Sequence, residues 1–246
     1  MKPFDPFQSP SIAADANSGA ATPGAGRPLL KICGVTEQAS AIAAIEAGAD
    51  LIGLNLWPRS KRFLAAGHHA WAAALADRVP LVGVFVNAAP GDIAAAARAL
   101  RLSAIQLHGD ESPAFAASVG TATGLPVIKA LGLPSAAAGA PPTAASTATE
   151  PLPEAWRGHP WLLLDAHDPV RRGGTGRAID WDLAARLVAA LGRSRVLLAG
   201  GLHPGNAAEA VRRVRPWAID VASGAETAPG LKDPGKVAAL AAIVRA

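Results

Sequence analysis

Between Leu29 and Gly224 the chain repeats one pattern eight times: a short apolar run followed by an Ala-rich amphipathic stretch of helical length. The runs are LLKICGV (29–35), LIGLNL (51–56), LVGVFV (81–86), AIQLHG (104–109), PVIKAL (126–131), WLLLDA (161–166), VLLAGG (196–201) and AIDVASG (218–224). Each is apolar enough for a strand buried on both faces, which is the βα alternation of a parallel sheet. Eight such units predict an α/β fold of the closed (β/α)8 TIM-barrel type and not an open doubly wound sheet. The length of 246 residues fits one such domain, and a hydrophobic content of 50% supplies its core. With five Phe and no Tyr, that core must come mainly from Val, Ile, Leu and Ala.

The barrel domain is expected to span 28–246. Before it, residues 1–27 carry Ser, Pro, Gly and Ala with almost no large apolar side chains, and read as a flexible, disordered tail. The Ala/Pro-rich stretch 134–153 falls where the fifth helix belongs and reads as a mobile insertion. Thr36 with Glu37, Asp92, Ser112, Asp182 and Pro204 suit helix starts.

The net charge of +4 is spread over Arg residues interleaved with acids, with no basic run and no aromatic platform, so no nucleic-acid partner is expected. A single cysteine, Cys33, excludes an intrachain disulfide and an all-Cys metal cluster, and points to an intracellular protein. Neither a signal peptide nor a membrane span is expected, which predicts a cytoplasmic location. Barrel helices look alike whether or not they meet another subunit, so a monomer and a homodimer both remain open.

In a barrel of this type chemistry gathers where the strands end. Cys33 and Gly34 close the first run, Ser60 and Arg62 follow the second, His108 closes the fourth, the fifth carries Lys129, and Asp165 closes the sixth. Gly200 and Gly201 end the seventh, and Asp220 with Ser223 and Gly224 the eighth. Gly200, Gly201 and Gly224 could merely make tight turns, but a Gly-Gly and a Ser-Gly pair at two consecutive strand ends favour a pocket where backbone N–H groups approach a phosphate. Cys33 is either a small buried hydrophobe or a general base, the second requiring a lowered thiol pKa. Asp165 is either a cap for the segment after it or a general acid holding a proton to donate. Arg62 can grip a carboxylate bidentately or belong to a solvated cluster with Arg59 and Lys61. His108 and Lys129 serve either a pocket or packing, and Asp220 needs a substrate hydroxyl or a basic neighbour. The glycines of GGTG, 173–176, permit a lid or a plain turn.

Taken in order, KICGVT, WPRSKRF, VGVFVN, QLHGDE, LLLDA, GGTGRAIDW, LAGGLHPGN and IDVASGAE with PGLKD resemble the phosphoribosylanthranilate isomerase family from about Lys31 to Val237. The resemblance implies an Amadori rearrangement of N-(5-phosphoribosyl)anthranilate in tryptophan biosynthesis, without metal or organic cofactor. It implies Cys33 as the base at C2, Asp165 as the acid at the ribose ring oxygen, and Arg62 on the anthranilate carboxylate. It also implies Gly200, Gly201, Ser223 and Gly224 on the phosphate and Asp220 on the ribose hydroxyls or the developing enolamine. The related histidine-pathway isomerase carries a carboxylate where Cys33 stands, which argues against that reading. A phosphosugar-binding barrel without activity would have no use for both Cys33 and Asp165.

Overall fold

The computed structural model describes residues 6–7, 27–133, 153–156, 158–166, 179–191 and 196–246. The eight apolar runs form the strands β1 (Leu29–Cys33), β2 (Leu51–Asn55), β3 (Leu81–Phe85), β4 (Ala104–Leu107), β5 (Val127–Leu133), β6 (Leu162–Ala166), β7 (Val196–Leu198) and β8 (Ala218–Val221). They pair in parallel in chain order, and β8 closes the barrel on β1, with Lys31 opposite Asp220. Outside lie α1 (Gln38–Glu46), α2 (His69–Ala74), α3 (Pro90–Ala99), α4 (Pro113–Thr123), α5 (Trp181–Leu191), α6 (Ala207–Val214) and α7 (Pro234–Arg245). A two-stranded hairpin of β9 (Glu226–Ala228) and β10 (Leu231–Lys232) follows β8. The 134–153 stretch, apart from Pro153, and the GGTG segment lie outside the described residues.

Three of the expected helix starts carry the chemistry anticipated for them. Ser112 accepts a hydrogen bond from the Phe115 N–H at 3.2 Å, with Pro113 at the first helical position of α4, and Asp92 and Asp182 sit in the first turns of α3 and α5. Asp180 precedes α5 and accepts from the Asp182 and Leu183 N–H groups at 2.9 and 3.0 Å. Thr36 differs, its hydroxyl donating to the Gly230 carbonyl at 3.3 Å.

Period-two alternation along the strands sorts the core into two parts. Leu29, Leu51, Val82, Ala104, Ile128, Leu163, Leu197 and Ala218 form one cluster within the barrel, while Leu30, Ile32, Ile52, Leu81, Ile105, Leu162 and Leu198 face the helices. The same parity carries Lys31, Cys33, Gly53, Asn55, Gln106, His108, Asp165 and Asp220 inward above the apolar layer.

Two of the described residues within 1–27 pack onto the barrel. Arg27 makes a bidentate pair with Asp50 at 2.8 and 2.9 Å. Phe7 is buried beneath the apolar layer, its ring centroid 5.3 Å from that of Trp161 and 5.7 Å from that of Trp217. Both tryptophans precede their strands, so the cluster closes the N-terminal end of the barrel. Phe7→Ala is expected to cost about 1.5–3 kcal/mol, the value of burying such a ring. Denaturant titration should show the loss, accompanied by a red shift of native tryptophan emission.

Candidate active site

At the opposite end, the C-terminal ends of the strands surround a cavity of about 420 Å³. Of the candidates singled out from the sequence, Cys33, Arg62, His108, Asp165, Gly200, Gly201, Asp220 and Ser223 line it, and Gly224 and Lys129 do not. Gly224 lies directly behind that wall. A Cβ placed on it would run into the Leu202 carbonyl and come within 2.8 Å of the His203 Cβ, so only glycine lets the β7 and β8 loops touch. Gly200 has a φ of +86°, a left-handed turn that carries the chain sharply away from β7 beside Asp165. Ser223 opens a single 3₁₀ turn to Ala225, whose first N–H groups have no acceptor within the turn. The two glycine-bearing ends thus form a polar backbone cradle suited to an anion.

Asp165 is 7% exposed. Its Oδ1 accepts from the N–H of Ala166 at 2.7 Å, and its Oδ2 lies 3.4 Å from His108 Nε2. His108 Nδ1 is in turn 3.0 Å from Gln106 Nε2. With the amide donating to Nδ1, the imidazole carries its proton on Nε2 and directs it at Asp165. Asp165 therefore belongs to a chain of pocket groups that starts at Gln106.

Cys33 is buried at the rim of the cavity. The lowered thiol pKa required of a resting base is not what the surroundings produce. Burial has the largest influence and pushes the Cys33 thiol up, the Asp220 charge adds to it, and Lys31 and Lys232 pull down less strongly. The free protein thus favours the thiol form.

The basic neighbour that Asp220 needed is Lys31, with its Nζ donating to Asp220 Oδ1 at 2.8 Å. Lys31 has 0% exposure. Burial opposes its charge most strongly, but Asp220 and the sulfur of Cys33 outweigh that and hold the ammonium above its ordinary value. Lys129, by contrast, faces away from the cavity, bound to Glu111 at 2.7 Å and to the Gly109 carbonyl at 2.6 Å.

Arg62 is not part of a solvated cluster. Its Nε and Nη2 donate to the two carboxylate oxygens of Glu226 at 2.7 and 2.6 Å. Lys232 Nζ reaches the same carboxylate at 2.6 Å and also donates to the carbonyls of Cys33 and Ala222, at 2.6 and 3.3 Å. Burial pushes the Glu226 carboxyl up, but the Arg62 hydrogen bonds and the Lys232 charge together bring it below its usual range. Burial pulls Lys232 down. Three surrounding acceptors can be satisfied only by an ammonium, so the charged pair is the form this geometry holds. Glu226 and Lys232 escaped the sequence reading, as did Lys31 and Gln106. For Lys31 the signal was available, since a cation inside LLKIC needs a buried partner as much as Asp165 or Asp220 does.

The family model described as N-(5'phosphoribosyl)anthranilate (PRA) isomerase matches residues 30–242. A protein of Myxococcus xanthus named N-(5'-phosphoribosyl)anthranilate isomerase is 46% identical over 221 residues, covering 88% of this chain and 94% of that protein. The crystal structure of phosphoribosyl anthranilate isomerase from Thermus thermophilus is 37% identical, with a TM-score of 0.70 over 87% of this chain and 97% of that one. A further phosphoribosyl anthranilate isomerase, solved with reduced 1-(o-carboxyphenylamino)-1-deoxyribulose 5-phosphate, is 29% identical with a TM-score of 0.69, covering 89% and 98% of the two chains.

Proposed function

Because the chain belongs to the N-(5'-phosphoribosyl)anthranilate isomerase family, we propose that its barrel mouth carries out the family's Amadori rearrangement in tryptophan biosynthesis with Cys33 as general base and Asp165 as general acid. The observation that carries this reading is the convergence of these two side chains, one thiol and one buried carboxyl, on a single cavity with an anion cradle beside them. Asp165 would protonate the ribose ring oxygen as the anilino nitrogen pushes the ring open to a Schiff base. The Cys33 thiolate would then remove the proton at C2, giving the enolamine that tautomerises to 1-(2-carboxyphenylamino)-1-deoxyribulose 5-phosphate.

The remaining groups fall around that path. The backbone at Gly200, Gly201, Ser223 and Gly224 would hold the phosphate, and Asp220 would meet a ribose hydroxyl. Arg62, with two nitrogens fixed on Glu226 and Nη1 without a hydrogen bond among the described residues, would present that nitrogen to the anthranilate carboxylate. His108 would steady Asp165 and line the sugar subsite. All the chemistry is proton transfer between these side chains and the substrate, so the reaction calls for no metal and no organic cofactor. No helix among the described residues is long and apolar enough to cross a membrane. We place the enzyme in the cytoplasm, as a monomer or a homodimer acting on a small phosphosugar.

The test is the loss of anthranilate-type fluorescence from freshly generated N-(5-phosphoribosyl)anthranilate. The native protein should consume it, and Arg62→Ala should raise KM about tenfold or more while lowering kcat less, as loss of a ground-state carboxylate contact does. A folded native protein with no turnover would leave only a phosphosugar-binding barrel.

A further inference from the structure

Within the barrel, Lys31 and Cys33 are two residues apart on one strand and so point to the same side, and both lie against Gly53 of the next strand. A Cβ at Gly53 would sit 2.7 Å from the Cys33 Sγ and 3.1 Å from the Lys31 Nζ, so the missing side chain is what allows sulfur and ammonium to share that wall. Across the β1–β8 seam the same ammonium donates to Asp220 at 2.8 Å. Lys31 thus has an anion on one side and the only thiol of the chain on the other, with no solvent exposure.

We propose that Lys31 is a positioning residue for the base: its buried ammonium, shared between Asp220 and the Cys33 sulfur, is the counter-ion that sustains the Cys33 thiolate in the barrel mouth. This rests on the reading of Cys33 as the base and extends it to what makes that base usable. The thiol proton leaves to water, and the charge left on sulfur is balanced by an ammonium that is already in place. Asp220 decides how much of that ammonium the sulfur receives. A sugar hydroxyl donating to Asp220 would weaken its hold and turn Lys31 toward the sulfur as substrate arrives.

Four charged groups face Cys33: Lys31 on its own strand, Asp220 on β8, Lys232 of the hairpin at its carbonyl, and Arg62 beyond β2. Burial and Asp220 favour the thiol, and Lys31 is the stronger of the two lysines opposing them. The Lys232 ammonium is committed to Glu226 and two carbonyls, and Arg62 holds Glu226 through two nitrogens, whereas Lys31, held by Asp220, is the cation that shares the Gly53 wall with the sulfur.

The experiment measures iodoacetamide alkylation of the free enzyme against pH, which reports one site because the chain has one cysteine. Asp220→Asn should lower the midpoint of the profile. Adding Lys31→Met to Asp220→Asn, which leaves no unpaired charge from the pair, should raise it again by at least one pH unit, a tenfold slower reaction at a fixed pH below the midpoint. Coincident midpoints for the single and double variants would mean that Lys31 acts only by pairing Asp220, and would overturn the proposal. Should Asp220→Asn fail to fold, Gly53→Ala decides the matter. It changes no charge but wedges a methyl group between sulfur and ammonium, so the midpoint should rise, and an unmoved midpoint would overturn the proposal. The alkylation profile needs no substrate, so its outcome is separate from whether Cys33 proves to be the base in turnover.

Discussion

Cys33→Ala is expected to lower kcat/KM by about 10²–10⁴-fold, the usual contribution of a positioned acid or base, and Asp165→Asn by a comparable factor. Both side chains line the cavity, yet neither belongs to the apolar layer beneath it, so the folded state should survive each change. Equilibrium unfolding of each variant checks that point, and steady-state fluorescence kinetics checks the rate. The substitutions act on one proton-transfer path, so the double variant should lose much less than the product of the two single losses. Native kcat in either variant would remove that residue from the mechanism.

The second large effect concerns stability. Glu226→Ala is expected to destabilise the protein by about 3–5 kcal/mol, the cost of leaving a buried ionic partner alone, here two of them in Arg62 and Lys232. Urea unfolding measures it. KM should rise with it, because Arg62 loses the carboxylate that fixes its guanidinium. The pH dependence has a definite sign. The Glu226 carboxyl is lower in the folded protein than in the unfolded chain, so its contribution is fully present above about pH 4.3 and is lost as the pH falls through the folded value. The native protein should therefore weaken below that point more steeply than Glu226→Gln. Parallel acid titrations of the two would sink the assignment.

The barrel and most of its mouth were legible in the sequence because both arise from short-range periodicity. Once LLKIC is read as a strand, alternation puts Leu29, Lys31 and Cys33 on one side and Leu30 and Ile32 on the other, and the same rule places Asp165 and Asp220. What was not legible depends on contacts between segments far apart in the chain. Arg62 and Glu226 are 164 residues apart, and Glu226 and Lys232 sit in a hairpin whose strands are three and two residues long, too short to show any alternation. The direction in which the Cys33 thiol moves was hidden for the same reason, since it is set by burial and by Asp220 from the other side of the barrel seam. Phe7 escaped because two aromatics, Phe4 and Phe7, in a Pro-, Ser- and Ala-rich stretch are too few to establish a period, and only Trp161 and Trp217 give Phe7 somewhere to go.

The aromatic floor has a consequence for how this enzyme can change. Reactive groups occupy one mouth of the barrel and the Phe7–Trp161–Trp217 stopper the other, with a layer of Leu, Ile, Val and Ala between them. The part of the stability that the stopper supplies is therefore held far from the groups that meet substrate, unlike the part held by Glu226 at the mouth. Sequence drift at the stopper should move the melting temperature at constant turnover, and the mouth can be retuned for another aminosugar phosphate while the floor holds the barrel shut.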